Sequence, residues 1–285
     1  VANLRTIVAS NAITAIIALA AMTGLIAGAF DLSVAANMSL SISVVGQLQA
    51  GLHLNAVLAI ILTLLCGGCV GCVNAIIITR FRINAVIGTL ATSSILAAIS
   101  YWVANGQTII NGISSGFIKA GSAQPLSIPI NVYVLVVVAL LLWYVLEHTP
   151  AGRYLYAAGA NEQAARLSGV NVNRLRWGAL ITSGVLSSAA GVVLTMQLGS
   201  ASFGAGDSYL LPAYTGAFLG ATQIFPGRFN IVGTLIAIYL VAIGVKGLQL
   251  EYPQYAWIAD LVEGLVLLIA VGVAGMAARR RLNRR

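Results

Sequence analysis

Ionisable side chains are scarce in this sequence, and the few that fall within apolar stretches are the first candidates for chemistry. Asp31 opens a Ser-, Asn- and Ala-rich run just after Gly28–Phe30, where a carboxylate at a helix break would sit near a helix N-terminus. Asp260 and Glu263 are three apart and share one helix face. Acids inside a membrane are costly. They either mark an ion or proton route, or face a wet interior and bond to backbone. Proton coupling requires a buried acid with a switching partner, and the sequence names none. Cys66, Cys69 and Cys72, in CGGCVGC, superficially suggest a metal or cluster site. Such sites need four ligands, the chain has no other Cys, and His53 and His148 fall on separate loops. With Gly67, Gly68 and Gly71 the three Cys read instead as one close-packing face. No GxxxxGK[ST], HExxH or GxSxG pattern occurs, so the chain is read neither as an ATP-binding P-loop protein nor as an enzyme.

The elements that must position these residues are apolar. Of 285 residues 59% are hydrophobic, mean hydropathy is +0.95, and 8% are charged, against roughly 25% in a soluble domain. A soluble protein of this size cannot hide so much apolar surface, so the fold class is all-α, a polytopic membrane helical bundle with lipid as its surroundings. Net charge is +8, with five basic residues in the tail Arg279–Arg285 and four between Arg153 and Arg176. Basic clusters flanking apolar spans are topology signals, which sets aside nucleic-acid binding. The first apolar run exceeds the ~7–15 residues of a signal-peptide core and another span follows at once, so it is read as a span.

Nine spans are expected: Thr6–Gly28, Asp31–Ala50, Leu54–Thr79, Ile83–Ala104, Ile130–Leu146, Trp177–Leu198, Tyr209–Phe225, Phe229–Val245 and Ala256–Ala278. Alternating them places Arg80 and Arg82, the Arg153–Arg176 loop, Arg228 and the tail on one side, the cytoplasm. Val1 then lies outside, and a chain beginning in the cytoplasm would need a tenth, N-terminal span before it. Residues 1–285 are read as one transmembrane domain with a cytoplasmic loop at 150–176. Small residues such as Ala189, Ala190 and Gly191 allow close helix packing, and Trp177 and Trp257 suit span ends.

The 150–176 loop contains a short helix, Glu162–Ser168. Asn161 is a good N-cap, Glu162 suits the positive end of the dipole, Arg166 the negative end, and Gly169 the C′ position. Two turns fall below the ~12–15 residues that an isolated helix needs in water, so something must pack against it. The expectation is another protein.

Gly152–Arg176 (GRYLYAAGANEQAARLSGVNVNRLR) resembles the cytoplasmic loop of permease subunits of bacterial ABC importers for monosaccharides of the ribose, galactose and xylose type, a family related to branched-chain amino-acid permeases. FDLSV (Phe30–Val34), RINAVIGTLAT (Arg82–Thr92), GAFLGATQIFPGRFNIVGTLIA (Gly216–Ala237) and EGLVLLIAV (Glu263–Val271) are similar to further signatures of that family, in order along the chain. Ala85 stands where Pro is common, Ala35 where Gly is, and Glu263 where Lys or a neutral residue is.

The resemblance implies a bacterial inner-membrane permease that pairs with a second permease, identical or not, to import a sugar delivered by a periplasmic binding protein. It implies no cofactor of its own, ATP and magnesium being bound by cytoplasmic ATPase subunits. Gly159, Asn161, Glu162, Ala164, Ala165, Ser168 and Gly169 match the family's coupling element, with Arg166 and Leu167 in the same helix. Ala164, Ala165 and Leu167 are expected to supply apolar contacts to the ATPase, and Glu162 and Arg166 polar register. A neutral sugar needs hydroxyl and amide partners, which makes Asp31, Ser33, Asn37, Ser39, Ser41 and Ser43 the expected wall of the path. Ser and Asn at those spacings also serve helix packing. The competing class is a proton- or ion-coupled carrier acting alone. A pore or scaffold would leave the capped loop helix unexplained.

Overall fold

The computed structural model describes residues 2–223, 227–255 and 257–282. Val1, the 224–226 stretch, Ala256 and the side chains of the basic tail lie outside the described residues. Among those described, twelve α-helices follow one another: α1 (Ala2–Ile26), α2 (Val34–Ala50), α3 (Ala56–Thr79), α4 (Ala85–Val103), α5 (Ser115–Gly121), α6 (Ile130–His148), α7 (Pro150–Ala160), α8 (Glu162–Leu167), α9 (Val172–Leu198), α10 (Leu210–Gln223), α11 (Ile231–Glu251) and α12 (Ile258–Leu282). The nine longest coincide with the nine apolar segments. α5, α7 and α8 lie in the connections.

Helix starts follow local chemistry. Asn55, Asn84, Asn161, Asn171 and Asn230 each cap a helix by accepting from a backbone N–H two or three residues ahead. Thr149 caps α7, with Pro150 at its first position, where a missing N–H costs nothing.

Among the described residues six helices are long and apolar enough to cross a membrane: Ile7–Ile26 of α1, then α3, α4, α6, α9 and α11. α2 and α10 are shorter, 17 and 14 residues, or ~25 and ~21 Å against the ~30 Å of a hydrocarbon core. α1 is buried without a break from Ala12 to Ile26, so this stretch forms the axis of the bundle. α9, α10, α11 and one face of α6 pack around it, and α2 meets it over a short stretch. α3 and α4 lie farther out, and these two and the outer face of α6 show exposed rows such as Ile61 and Leu65, Ile87 and Leu90, or Leu140 and Leu141, as lipid-facing helices do.

The connections gather at two ends. At one, the α1–α2 break, the α3–α4 turn, the α6–α9 loop and the α10–α11 turn come together, carrying Arg80, Arg82, the loop arginines and Arg228. At the other, Ile109 and Ala201 exchange backbone hydrogen bonds of 2.9 and 2.8 Å, pinning two outer connections to each other.

α3 and α9 make the most intimate helix pair, because Gly67, Gly71 and Gly184 bring the two backbones into contact. A Cβ on Gly184 would collide with the Gly67 carbonyl, whereas one on Gly244 meets nothing. Gly184→Val should therefore lose about 1–3 kcal/mol, read as a lower thermal midpoint in detergent, while Gly244→Ala leaves the midpoint unchanged or higher. Equal midpoints for both would mean that the α3–α9 seam does not limit stability.

Candidate functional site

The 150–176 loop is a folded object. Asn161 serves twice: its N–H donates to the Ala157 carbonyl to end α7, and its Oδ1 accepts from Ala164 N at 3.0 Å to start α8. α8 spans Glu162–Leu167, and Ser168 N donates to Ala164 O at 3.0 Å. Gly169 takes φ +80°, the left-handed conformation that closes a helix, and the chain turns into α9 under the Asn171 cap.

α8 finds much of its support within its own chain. Ala165 points inward onto Ala158 and Val172. It is buried here, on the inner side of α8 and away from the surface expected to meet an ATPase. Glu162 is bound by Arg176 at 2.6 Å and by Arg166 at 2.8 Å, so its register is set internally. The Arg176 and Arg166 hydrogen bonds hold the Glu162 carboxyl below its ordinary 4.5. The outward face comprises Ala164, Arg166, Leu167, Ser168 and Gly169. Leu167 is 90% exposed at its tip, an apolar side chain with no intramolecular reason to be there.

Contacts run from this loop into the bundle. Gly159 lies against the Ile26 carbonyl, so closely that no side chain would fit. Arg176 Nε donates to the Ala27 carbonyl at 3.4 Å. Both meet the end of α1 just before Asp31. Tyr156 donates its hydroxyl to the Phe229 carbonyl at 2.8 Å, with the Arg228 guanidinium 3.9 Å over its ring and Glu147 bound to Arg228 at 2.9 Å. Burial pushes the Tyr156 phenol up.

The sequence has counterparts among known proteins. Residues 3–271 match the family described as "Branched-chain amino acid transport system / permease component". The chain belongs to this family. Among its relatives, the ribose import permease protein RbsC of Escherichia coli K12 is 33% identical over 272 residues, 94% of this chain and 84% of the relative. RbsC of Bacillus subtilis is 36% identical over 271 residues, 94% and 83%. The autoinducer 2 import system permease protein LsrD of E. coli K12/DH10B is 30% identical over 274 residues, 94% and 82%. No solved structure matches at a significant level. The protein is thus an ABC importer permease, a multi-pass membrane protein homologous to bacterial inner-membrane permeases, and the ATPase activity lies in partner subunits.

In the permease the six residues expected along the path are buried and engaged with neighbouring helices. Asp31 accepts from Ser33 Oγ at 2.6 Å, Ser183 Oγ at 2.9 Å and Asn74 Nδ2 at 3.3 Å. Asn37 donates to Gly184 O at 2.9 Å, and Ser39 to Asp207 at 2.9 Å. Ser41 donates to Ser188 at 2.9 Å, and the Ser43 and Ser100 hydroxyls pair at 2.9 Å. They form a polar seam between α2 and α3, α4 and α9. The acceptors Asn37 Oδ1 and Asn74 Oδ1 have no partner in it.

The remaining acids and thiols separate. Glu263 lines a 370 Å³ cavity with Ser10, Asn11, Thr14 and Lys246, while Asp260 is exposed. Cys69 is exposed, and Cys66 packs with Val70 against Ala36, Leu40 and Leu96, the close-packing role expected of it.

Arg176, Tyr156 and Asn74 were not legible as functional from sequence, because each acts through a partner 14 to 73 residues away or on another helix. A basic residue at a loop end was the only signal for Arg176.

The Glu162 ion pairs predict a pH dependence. The folded-state pKa is depressed, so the stabilisation is complete above 4.5 and disappears as pH falls through the lower folded value. Hydrogen-exchange protection of residues 161–169, corrected for intrinsic rates, should hold down to about pH 4.5 and fall below it. In Glu162→Gln it should be low throughout. A variant profile identical to wild type would show that the ion pairs do not hold α8.

Proposed function

We propose that this permease pairs with a second permease to form the route of a monosaccharide across the inner membrane, and that α8 couples this route to cytoplasmic ATPase subunits. A periplasmic binding protein would deliver the sugar. The relatives named above import ribose or autoinducer 2, and a small polyhydroxylated substrate suits the neutral hydroxyl and amide groups of the α2 seam. The reading takes the basic end of the bundle as cytoplasmic, by the excess of Lys and Arg there, and the nine long helices as crossing or entering the membrane.

One observation carries the coupling role: a capped, internally braced helix that holds Leu167 almost fully exposed among arginines. Ala165, packed on Ala158 and Val172, and the Glu162–Arg176 ion pair set the helix's position from below, and Gly169 closes its end. Asn161, Ala164, Arg166, Leu167 and Ser168 present its outer surface, and Gly159 is the pivot against α1. A carrier working alone would have no use for such a projection. When ATP closes the ATPase pair, a force on α8 reaches the α1–α2 break through Gly159 and Arg176.

The α2 seam is the proposed gate. Asp31, Ser33, Asn37, Ser39, Ser41 and Ser43 are closed against other helices here. Opening the seam would present them to a sugar. The unused acceptors of Asn37 and Asn74 support this, because a buried unsatisfied group costs about 1–3 kcal/mol and a sugar hydroxyl would relieve it.

Two substitutions test the reading in the reconstituted transporter. Leu167→Glu places a charge where the ATPase groove should be apolar, and should cut binding-protein-stimulated ATP hydrolysis more than tenfold with insertion intact. Retained stimulation would refute the docking role. Asn37→Leu should abolish most sugar uptake while the complex assembles and hydrolyses ATP. Unchanged uptake would remove the α2 seam from the path.

A further inference from the structure

α6, α7 and α9 do not close completely on one another. Between them runs a slot of 490 Å³ with walls made by Val138, Leu142 and Leu146 of α6, Leu155 of α7, and Leu175 and Leu186 of α9. Arg174 stands in its lining at the first turn of α9, at the basic end of the bundle. The slot extends along α9 from Arg174 to Leu186, ~18 Å at 1.5 Å per residue. That is close to half of a ~30 Å hydrocarbon core, the depth of one leaflet. Its rim includes Leu141 and Val145, which are exposed on the face that α6 turns away from the bundle.

The slot is therefore apolar for the depth of one leaflet and cationic where the headgroups begin. Arg174 is exposed and makes no ion pair with a described acid, whereas Arg166, Arg176 and Arg228 all do. Gly178, one turn along α9 from Arg174, leaves the slot open: a Cβ there would meet nothing within 4 Å. A soluble partner has no means of reaching between membrane helices. A second permease would need an apolar surface without the cation, which it would have to desolvate. An amphiphile with an anionic head satisfies both halves at once.

We propose that this slot is a binding site for an anionic phospholipid of the cytoplasmic leaflet, with one acyl chain between α6 and α9 and the phosphate at Arg174. The site lies at the root of the coupling loop. Leu155 belongs to α7, whose end carries α8, and Gly152 seats the α6–α7 turn directly on the Leu146 carbonyl. The lipid fills the space under α7 and fixes the angle at which α8 is presented. The inference takes from the proposed function only that the basic end faces the cytoplasm. Its main readout is lipid, not transport, so a failed coupling assignment leaves it standing.

The test uses the intact transporter extracted from nanodiscs of phosphatidylglycerol and phosphatidylcholine, with retained lipid counted by native mass spectrometry. Wild type should retain phosphatidylglycerol in preference to phosphatidylcholine. Arg174→Gln, a change at an exposed side chain that leaves the packing untouched, should lower that preference about fivefold, as loss of one basic contact to an anionic headgroup predicts. Gly178→Leu should fill the slot and remove the retained lipid of either kind, with an unchanged thermal midpoint. Equal preference in wild type and Arg174→Gln would overturn the proposal. So would retention of both lipids without discrimination, or a crosslink from a cysteine at Leu141 to the second permease showing that protein covers the slot.

Discussion

The break between α1 and α2 is the constraint on which the rest of the bundle depends. A carboxylate buried in a membrane protein must find donors or forfeit several kcal/mol. Asp31 takes them from the N–H and hydroxyl of Ser33, from Asn74 on α3 and from Ser183 on α9. Its own carbonyl accepts the Tyr214 hydroxyl of α10 at 2.8 Å, and the adjacent Phe30 ring stacks on Tyr214. Thr89 of α4 accepts from Leu32 N and donates to the Phe30 carbonyl. Four helices are thus fastened to three consecutive residues. In lipid, where apolar surfaces gain little by meeting, such polar ties and the glycine contacts of α3 and α9 supply the specificity that burial provides in water.

The same break receives the loop. Gly159 touches Ile26, and Arg176 reaches Ala27, four residues before Asp31. Because Arg176 also holds Glu162, the short helix and the bundle's polar hub are joined through one guanidinium. A displacement of α8 therefore has a short, stiff path to the place where α1 ends and α2 begins. Packed interiors pass such displacements on, since they deform little and rearrange between discrete states.

Much of the architecture was readable beforehand, for local reasons. Asn at helix starts, Pro150 after Thr149 and Gly169 at a helix end act within a few residues of themselves, so their signals survive in the linear string. The nine apolar segments reappear as nine helices, though α2 and α10 are shorter than a full span. Side-chain direction was not readable. Ala164 and Ala165 are indistinguishable by type, yet one is exposed and the other buried against Ala158 and Val172. The Ser and Asn of α2 had two readings, path and packing, and only their partners on α4 and α9 show that they are presently packed.

By itself the sequence determined what lipid and local backbone chemistry impose: a helical membrane protein, basic connections gathered at one end, and a capped helix between two spans. Composition and spacing suffice for those, because every residue involved acts on its neighbours or on the solvent. The tertiary structure alone decided which donors meet Asp31, that Glu162 spends its charge on Arg176, and that Leu167 is the side chain left projecting. Those outcomes depend on contacts between residues far apart in the chain, where the deciding term is whether a partner stands within hydrogen-bonding reach.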